Sequence, residues 1–227
     1  MADAAMNKVI GELLPLAVGV AISPIPIIAV ILMLLAAKAG GTSAGFLLGW
    51  VAGIAVATGL FTALAGAGFG GSAEPSAAVS WIKIGLGVLL LLLAGRQWRG
   101  RPKPGGDAAL PGWMSAMDTF TPPKAAGLGF VLSAVNPKNL LMCVAAGAAI
   151  GSGELSGTES VTAVAVFTVL AASTVAVPVL AYAVARDRLR GPLDELNKWL
   201  QAHNAAVMSV LLLVIGTVLI GKGIGGL

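Results

Sequence analysis

Asn136-Pro137-Lys138-Asn139 lies about fourteen residues inside an apolar run whose only charge, from Ala125 to Ile150, is Lys138. A proline inside a helix removes one backbone donor and clashes with the carbonyl one turn back. This run is therefore predicted to be an interrupted membrane helix. A matching interruption, Ser23-Pro24-Ile25-Pro26, sits within the apolar run 9–37 near the start of the chain. Outward from these two breaks the chain divides into halves. Apolar stretches fall at 9–37, 44–67 and 79–98, and again at 124–150, 158–185 and 203–224. Three crossings per half is an odd number, so the second half enters the membrane from the opposite side. The expected fold is an all-α integral membrane protein with six transmembrane helices. They form two inverted three-helix repeats, each with a proline-broken first helix, the pattern of a secondary transporter with its site at the repeat interface. The first repeat covers 1–98, a basic linker 99–123, and the second repeat 124–227.

Composition supports a membrane bundle. Hydrophobic residues make up 57% of the chain and charged residues 11%, where soluble domains carry about 25% charged. Mean hydropathy is +0.93. Nearly uncharged stretches of about 18 residues or more read as spanning helices, and the short alternating segments of a barrel are missing. Cys143 is the single cysteine, which excludes an internal disulfide and cysteine-pair redox chemistry. The N-terminus lacks the basic cluster and short apolar core of a cleavable signal. No nucleotide loop, catalytic pair, nucleophilic site or metal-ligand spacing is found. No catalytic residue, cofactor, metal or nucleic-acid partner is expected, and the chain is not read as an enzyme.

Basic residues set the orientation. Ten lie in three links: Lys38; Arg96, Arg99, Arg101, Lys103 and Lys124; and Arg186, Arg188, Arg190 and Lys198. The other side holds Lys8 and Lys222, with Glu74, Glu154 and Glu159 near its links. A multi-pass protein of the cytoplasmic (inner) membrane follows, with both termini outside and the basic links in the cytoplasm. Trp81 and Trp98 bracket the third stretch, about 26 Å apart at ~1.5 Å per residue, and suit the two interfaces. The segment 191–200 predicts a short interfacial helix with Pro192 in its first turn and Leu193, Leu196, Trp199 and Leu200 on one face. Trp113, Met114, Met117 and Phe120 suggest a second such surface. Arg101-Pro102-Lys103-Pro104 reads as a polar linker.

Lys138 is the sharpest functional signal. A lysine near mid-bilayer costs about 2.5–3.5 kcal/mol on insertion scales, so it marks a partner, a cavity or a ligand. The plainer reading is that it caps carbonyls freed by the break. Asn136 and Asn139 offer donors and acceptors beside it, and Asn136 equally suits a helix cap. Pro24, Pro26 and Pro137 mark the two breaks. Ser23 is placed to cap the helix that follows, whose positive end favours anions. Pro178 in the fifth stretch is a candidate hinge or a packing kink. Gly45, Gly49 and Gly53 recur at four-residue spacing, which means tight packing inside the bundle or a homodimer face. Carboxylates are missing from the middle of every stretch, so the deep positive charge favours an anionic or zwitterionic substrate group. His203 reads as an interfacial surface residue.

Three stretches carry a family resemblance: Ala21-Ile22-Ser23-Pro24-Ile25-Pro26-Ile27-Ile28-Ala29-Val30, Phe46-Leu47-Leu48-Gly49-Trp50, and Asn136-Pro137-Lys138-Asn139-Leu140. They resemble the actinobacterial peptidoglycolipid (sulfolipid) addressing proteins, which look like a branch of the lysine-exporter (LysE) superfamily. The resemblance implies six crossings in two inverted halves and export of glycolipid-type cargo. Redox relatives in that superfamily use a cysteine in each half, and metal exporters use intramembrane acids; neither occurs here. The leading expectation is a transporter for a lipid or glycolipid with an anionic headgroup. Its substrate-binding residues would be Lys138, Asn136, Asn139 and Ser23, and its partners membrane lipids. The alternatives are an exporter of an amino acid or organic anion, and a non-transporting scaffold for cell-envelope lipid synthesis or export machinery.

Overall fold

Prolines open three of the helices in the structure, a computed structural model that describes residues 2–36, 39–67, 77–101, 119–225 and 227. Helix α1 spans Ala2–Ala21, and α2 spans Pro24–Leu35. Then come α3 (Ala39–Gly66), α4 (Ala77–Arg99), α5 (Pro122–Ala134), α6 (Pro137–Gly151) and α7 (Gly157–Ile224). The described residues contain no strand. Pro24, Pro122 and Pro137 each occupy a first helical position, where the missing N–H has no intrahelical partner to lose. Both breaks therefore fall where the prolines predict. α5 and α6 meet at a bend of 64°. The expectations for Lys38, Glu74, the linker residues Pro102, Lys103 and Pro104, and Trp113, Met114 and Met117 lie outside the described residues.

Three described helices are long and apolar enough to cross a membrane, or four when the bent α5–α6 pair counts as one span. The chain is a multi-pass membrane protein by that measure. α1 begins well before the apolar run. α7 opens on a reciprocal cap: the backbone N–H of Ser156 donates to Glu159 Oε2 at 2.8 Å, and that of Glu159 donates to Ser156 Oγ at 3.3 Å. It continues helical through Pro178, and its non-helical residue is Ala185, with φ −136° and ψ 46°. The 191–200 segment is not a separate short helix. It is continuous with α7, and Pro192 lies inside the helix rather than at its first turn. Arg188, whose carbonyl loses a partner to Pro192, is exposed, so water can replace the bond. Of the expected apolar face, Leu193 and Leu200 are buried while Leu196 and Trp199 are exposed.

The chain forms two compact units. One comprises Met1–Gly71 with Pro111–Asn197, the other Ser72–Leu110 with Lys198–Leu227. Within the first, α3 packs on both α5 and α6. A side chain on Gly45 or Gly49 would run into the backbone of Pro122 or Ala126, and one on Gly53 into the Ser133 hydroxyl. Gly129 of α5 meets the Phe46 carbonyl in return, while Gly147 and Gly151 of α6 sit against Thr58 and Thr62. The glycine run thus serves packing inside the unit. Lipid tails give helices little hydrophobic reason to associate, so close backbone approach supplies the van der Waals contact. Phe46, Trp50 and Ile54 form a fully buried stripe on α3, with the two rings stacked at 6.3 Å. In the second unit, Gly87 of α4 faces Gly216 of α7, and Leu90, Ala94 and Leu212 form the core. Trp81 and Trp98 stand exposed near the two ends of α4.

Candidate functional site

A broken helix leaves four carbonyls without the amides of a following turn. At the end of α1 these are Gly19, Val20, Ala21 and Ile22, and each has a replacement donor. Lys138 Nζ donates to Gly19 O at 2.7 Å and reaches Ile22 O at 3.5 Å. The Ser23 hydroxyl donates to Val20 O at 2.7 Å. Ala21 O accepts from the Ser23 backbone N–H at 2.8 Å and from Thr174 Oγ1 at 2.6 Å. Three segments of the first unit (the start of α6, the break itself and the middle of α7) therefore complete one helix end.

The site also joins the two breaks side chain to side chain. Lys138 Nζ donates to Ser23 Oγ at 2.7 Å. Ser23 Oγ lies 3.2 Å from Asn139 Oδ1, longer than its contact with Val20 O, which takes the single hydroxyl proton. Asn139 Nδ2 donates to Leu132 O at 2.9 Å, closing the last turn of α5. Asn136 Oδ1 accepts from the Lys138 backbone N–H at 3.1 Å and caps α6. Lys138 is 8% exposed, Ser23 4% and Asn139 0%. A charge this buried is retained only where hydrogen bonds replace its lost hydration. Here three protein oxygens supply them.

Ser23 occupies the N-cap position of α2, but its side chain makes no cap hydrogen bond. Its oxygen accepts from Lys138 Nζ instead. An N-cap oxygen accepts from the second or third helical N–H; Pro26 at the third has none, which leaves Ile25 as the single candidate. The hydroxyl turns back to α1 instead. Asn136 faces Lys138 and Asn139 at those positions, both with free amides, and caps as expected.

Lys138, Ser23 and Asn139 are thus in direct contact, and Asn136 sits one turn position away. Pro24, Pro26 and Pro137 define the two helix starts. Pro178 lies one turn beyond Thr174 on α7. Sequence reasoning missed Thr174 as a member. Its hydroxyl is one of several in that stretch, beside Thr168 and Ser173, and its partner is 153 positions away. His203 is exposed, stacks on Trp199 at 4.7 Å and has Nδ1 2.8 Å from that residue's carbonyl, a surface placement. Cys143 is buried and free. The described residues hold no group of three or more potential metal ligands.

A family model described as Sap, sulfolipid-1-addressing protein, matches residues 13–225. No curated protein and no solved structure matches the chain.

Proposed function

The chain belongs to the sulfolipid-1-addressing protein family, and we propose that it moves a lipid with an anionic headgroup across the membrane by alternating access at the paired breaks. The observation that carries this reading is the Lys138 ammonium, which spans from the start of one broken helix to the end of the other. A charge placed there senses both breaks at once. In the present conformation its protons go to Gly19 O, Ser23 Oγ and, more weakly, Ile22 O. A sulfate or phosphate group offers stronger, charge-assisted acceptors for the same donors. Its arrival would release the end of α1 and let the two broken helices part. Asn136, Asn139 and Ser23 would supply the neutral contacts.

Several features support two inverted repeats of three crossings each. The first unit takes α1, α2 and α3 from the first half, and α5, α6 and the early part of α7 from the second. The second unit takes the remaining helix of each half. The second helix of each half carries a fully buried stripe at four-residue spacing: Phe46, Trp50, Ile54 and Thr58 in α3, and Ala163, Phe167, Ala171 and Val175 in α7. Equivalent segments of an inverted pair would bury equivalent faces in this way.

The test is transport of a labelled anionic lipid by the full-length protein in reconstituted vesicles. Wild type should transport, and Lys138→Met should lose at least about tenfold, the equivalent of about 1.4 kcal/mol. Melting temperature and size-exclusion profile verify that the variant is folded. A folded Lys138→Met protein that transports at the wild-type rate would leave Lys138 as a helix cap alone and sink the proposal.

A further inference from the structure

The second unit contains a feature that the break site does not use. α4 and the C-terminal part of α7 enclose a groove of about 460 Å³, lined by Leu91, Ala94, Gly95, Trp98, Val210 and Leu213. Its walls are almost wholly apolar, and the Ser209 hydroxyl beside it is already bonded to Ala206 O at 2.8 Å. A second hollow of about 300 Å³ shares Leu91 and Gly95 with it and ends at Arg96 and Arg99. Both arginines are exposed. Neither guanidinium has a hydrogen bond or ion pair among the described residues. Arg101 differs, since it stacks on the Trp98 ring at 4.1 Å and donates to the Trp98 carbonyl at 2.9 Å. That contact holds the indole at the groove's basic end.

We propose that this groove binds an anionic phospholipid of the surrounding membrane, with one acyl chain along Leu91, Ala94 and Leu213 and the phosphate on Arg96 and Arg99. An extended peptide laid into so apolar a groove would leave its amides unpaired, whereas a hydrocarbon chain has no polar group to satisfy. Residues three apart share a helix face, so the two guanidiniums converge on one headgroup and present forked donors that match phosphate oxygens. A basic pocket at the membrane surface of a helix pair is a recognised form of headgroup site. Trp98 sits where an indole favours the interface. The proposal rests on the membrane reading of the chain and not on the role given to Lys138.

The experiment is native mass spectrometry of the full-length protein from neutral detergent, with phosphatidylglycerol or phosphatidylcholine added. Phosphatidylglycerol should remain bound at concentrations where phosphatidylcholine is lost. Arg96→Gln with Arg99→Gln should weaken that binding about tenfold and remove the headgroup preference. Gly95→Leu should fill the groove and also lose the lipid with both arginines intact. A Cβ at Gly95 meets nothing within 4 Å, so this variant should fold, as its melting temperature checks. Bound lipids are counted per chain: the groove variants should lose one phosphatidylglycerol and keep any held at Lys138, which separates this site from the transport reading. Equal binding of the two lipids by wild type would overturn the proposal, and so would undiminished phosphatidylglycerol binding in either groove variant.

Discussion

Lys138 does with one ammonium what a further helical turn would have done with backbone amides. Its cost in a membrane is offset by three acceptors, and those acceptors exist only because Ser23, Pro24 and Pro26 interrupt the first helix. Charge and break therefore depend on each other. A double-mutant cycle measures that dependence. Ser23→Ala removes one acceptor of Lys138, and Lys138→Met removes the donor. If the contact is made, the two losses of stability should be less than additive by about 1 kcal/mol, within the range of side-chain hydrogen bonds inside membrane proteins. Unfolding in mixed micelles gives the four free energies, and strict additivity would mean that the two side chains do not interact. Thr174 offers a simpler check at the same helix end. Thr174→Val keeps the shape and removes the donor to Ala21 O, so it should cost about 1 kcal/mol by the same measure.

Between helices, packing is governed by where side chains are missing. α3 approaches α5 so closely that Gly49 has no room for a methyl group against Ala126. Gly49→Ala should therefore cost about 1–3 kcal/mol through overpacking. Gly127 lies on α5, yet a Cβ there meets nothing within 4 Å, and Gly127→Ala should gain about 0.5–1 kcal/mol from reduced chain entropy. Opposite shifts in melting temperature are expected, and shifts of the same sign would refute the close approach. The sequence made much of this element scale legible. Prolines mark helix starts because they lack the donor that a helix interior needs. Glycines at four-residue spacing mark a contact because only a missing side chain permits one. Other boundaries were hidden for definite reasons. Hydropathy reports where lipid ends, whereas a helix ends only where its backbone bonds fail. α1 begins at Ala2 because Ala2, Ala4, Ala5 and Met6 favour helix without marking a span. α7 runs through the basic stretch from Arg186 to Lys198, where Arg, Leu, Glu and Lys favour helix against Gly191 and Pro192. At the site, Lys138 was legible as a rare intramembrane charge. Its carbonyl partners Gly19 and Ile22 were not, nor was Thr174 at the same helix end, since all three contribute through a fold that no local pattern encodes.

At the scale of the whole molecule, the decisive quantity is the number of crossings. α7 is 68 residues long, which is about 100 Å at ~1.5 Å per residue, against a hydrocarbon core of roughly 30 Å. One crossing cannot accommodate it. Ala185 divides it into two segments, each long enough to span, and the charged residues around that kink would lie at one surface. If α1–α2, α3, α4 and α5–α6 each cross once, as we propose, the total is six, an even number, and both termini share a side. On that proposal the ten basic residues of the links would face the cytoplasm opposite them. Single cysteines on a Cys143→Ser background test this with a membrane-impermeant maleimide. Ala4→Cys and Leu227→Cys should label in intact cells. Asp187→Cys, which leaves every basic residue in place, should label only after permeabilisation. Termini on opposite sides would mean an odd number of crossings and would break the inverted repeat. Both termini labelling only after permeabilisation would keep the repeat but reverse the orientation. In that case Arg96 and Arg99 would face the outer leaflet, and the anionic lipid proposed for their groove would have to come from that side.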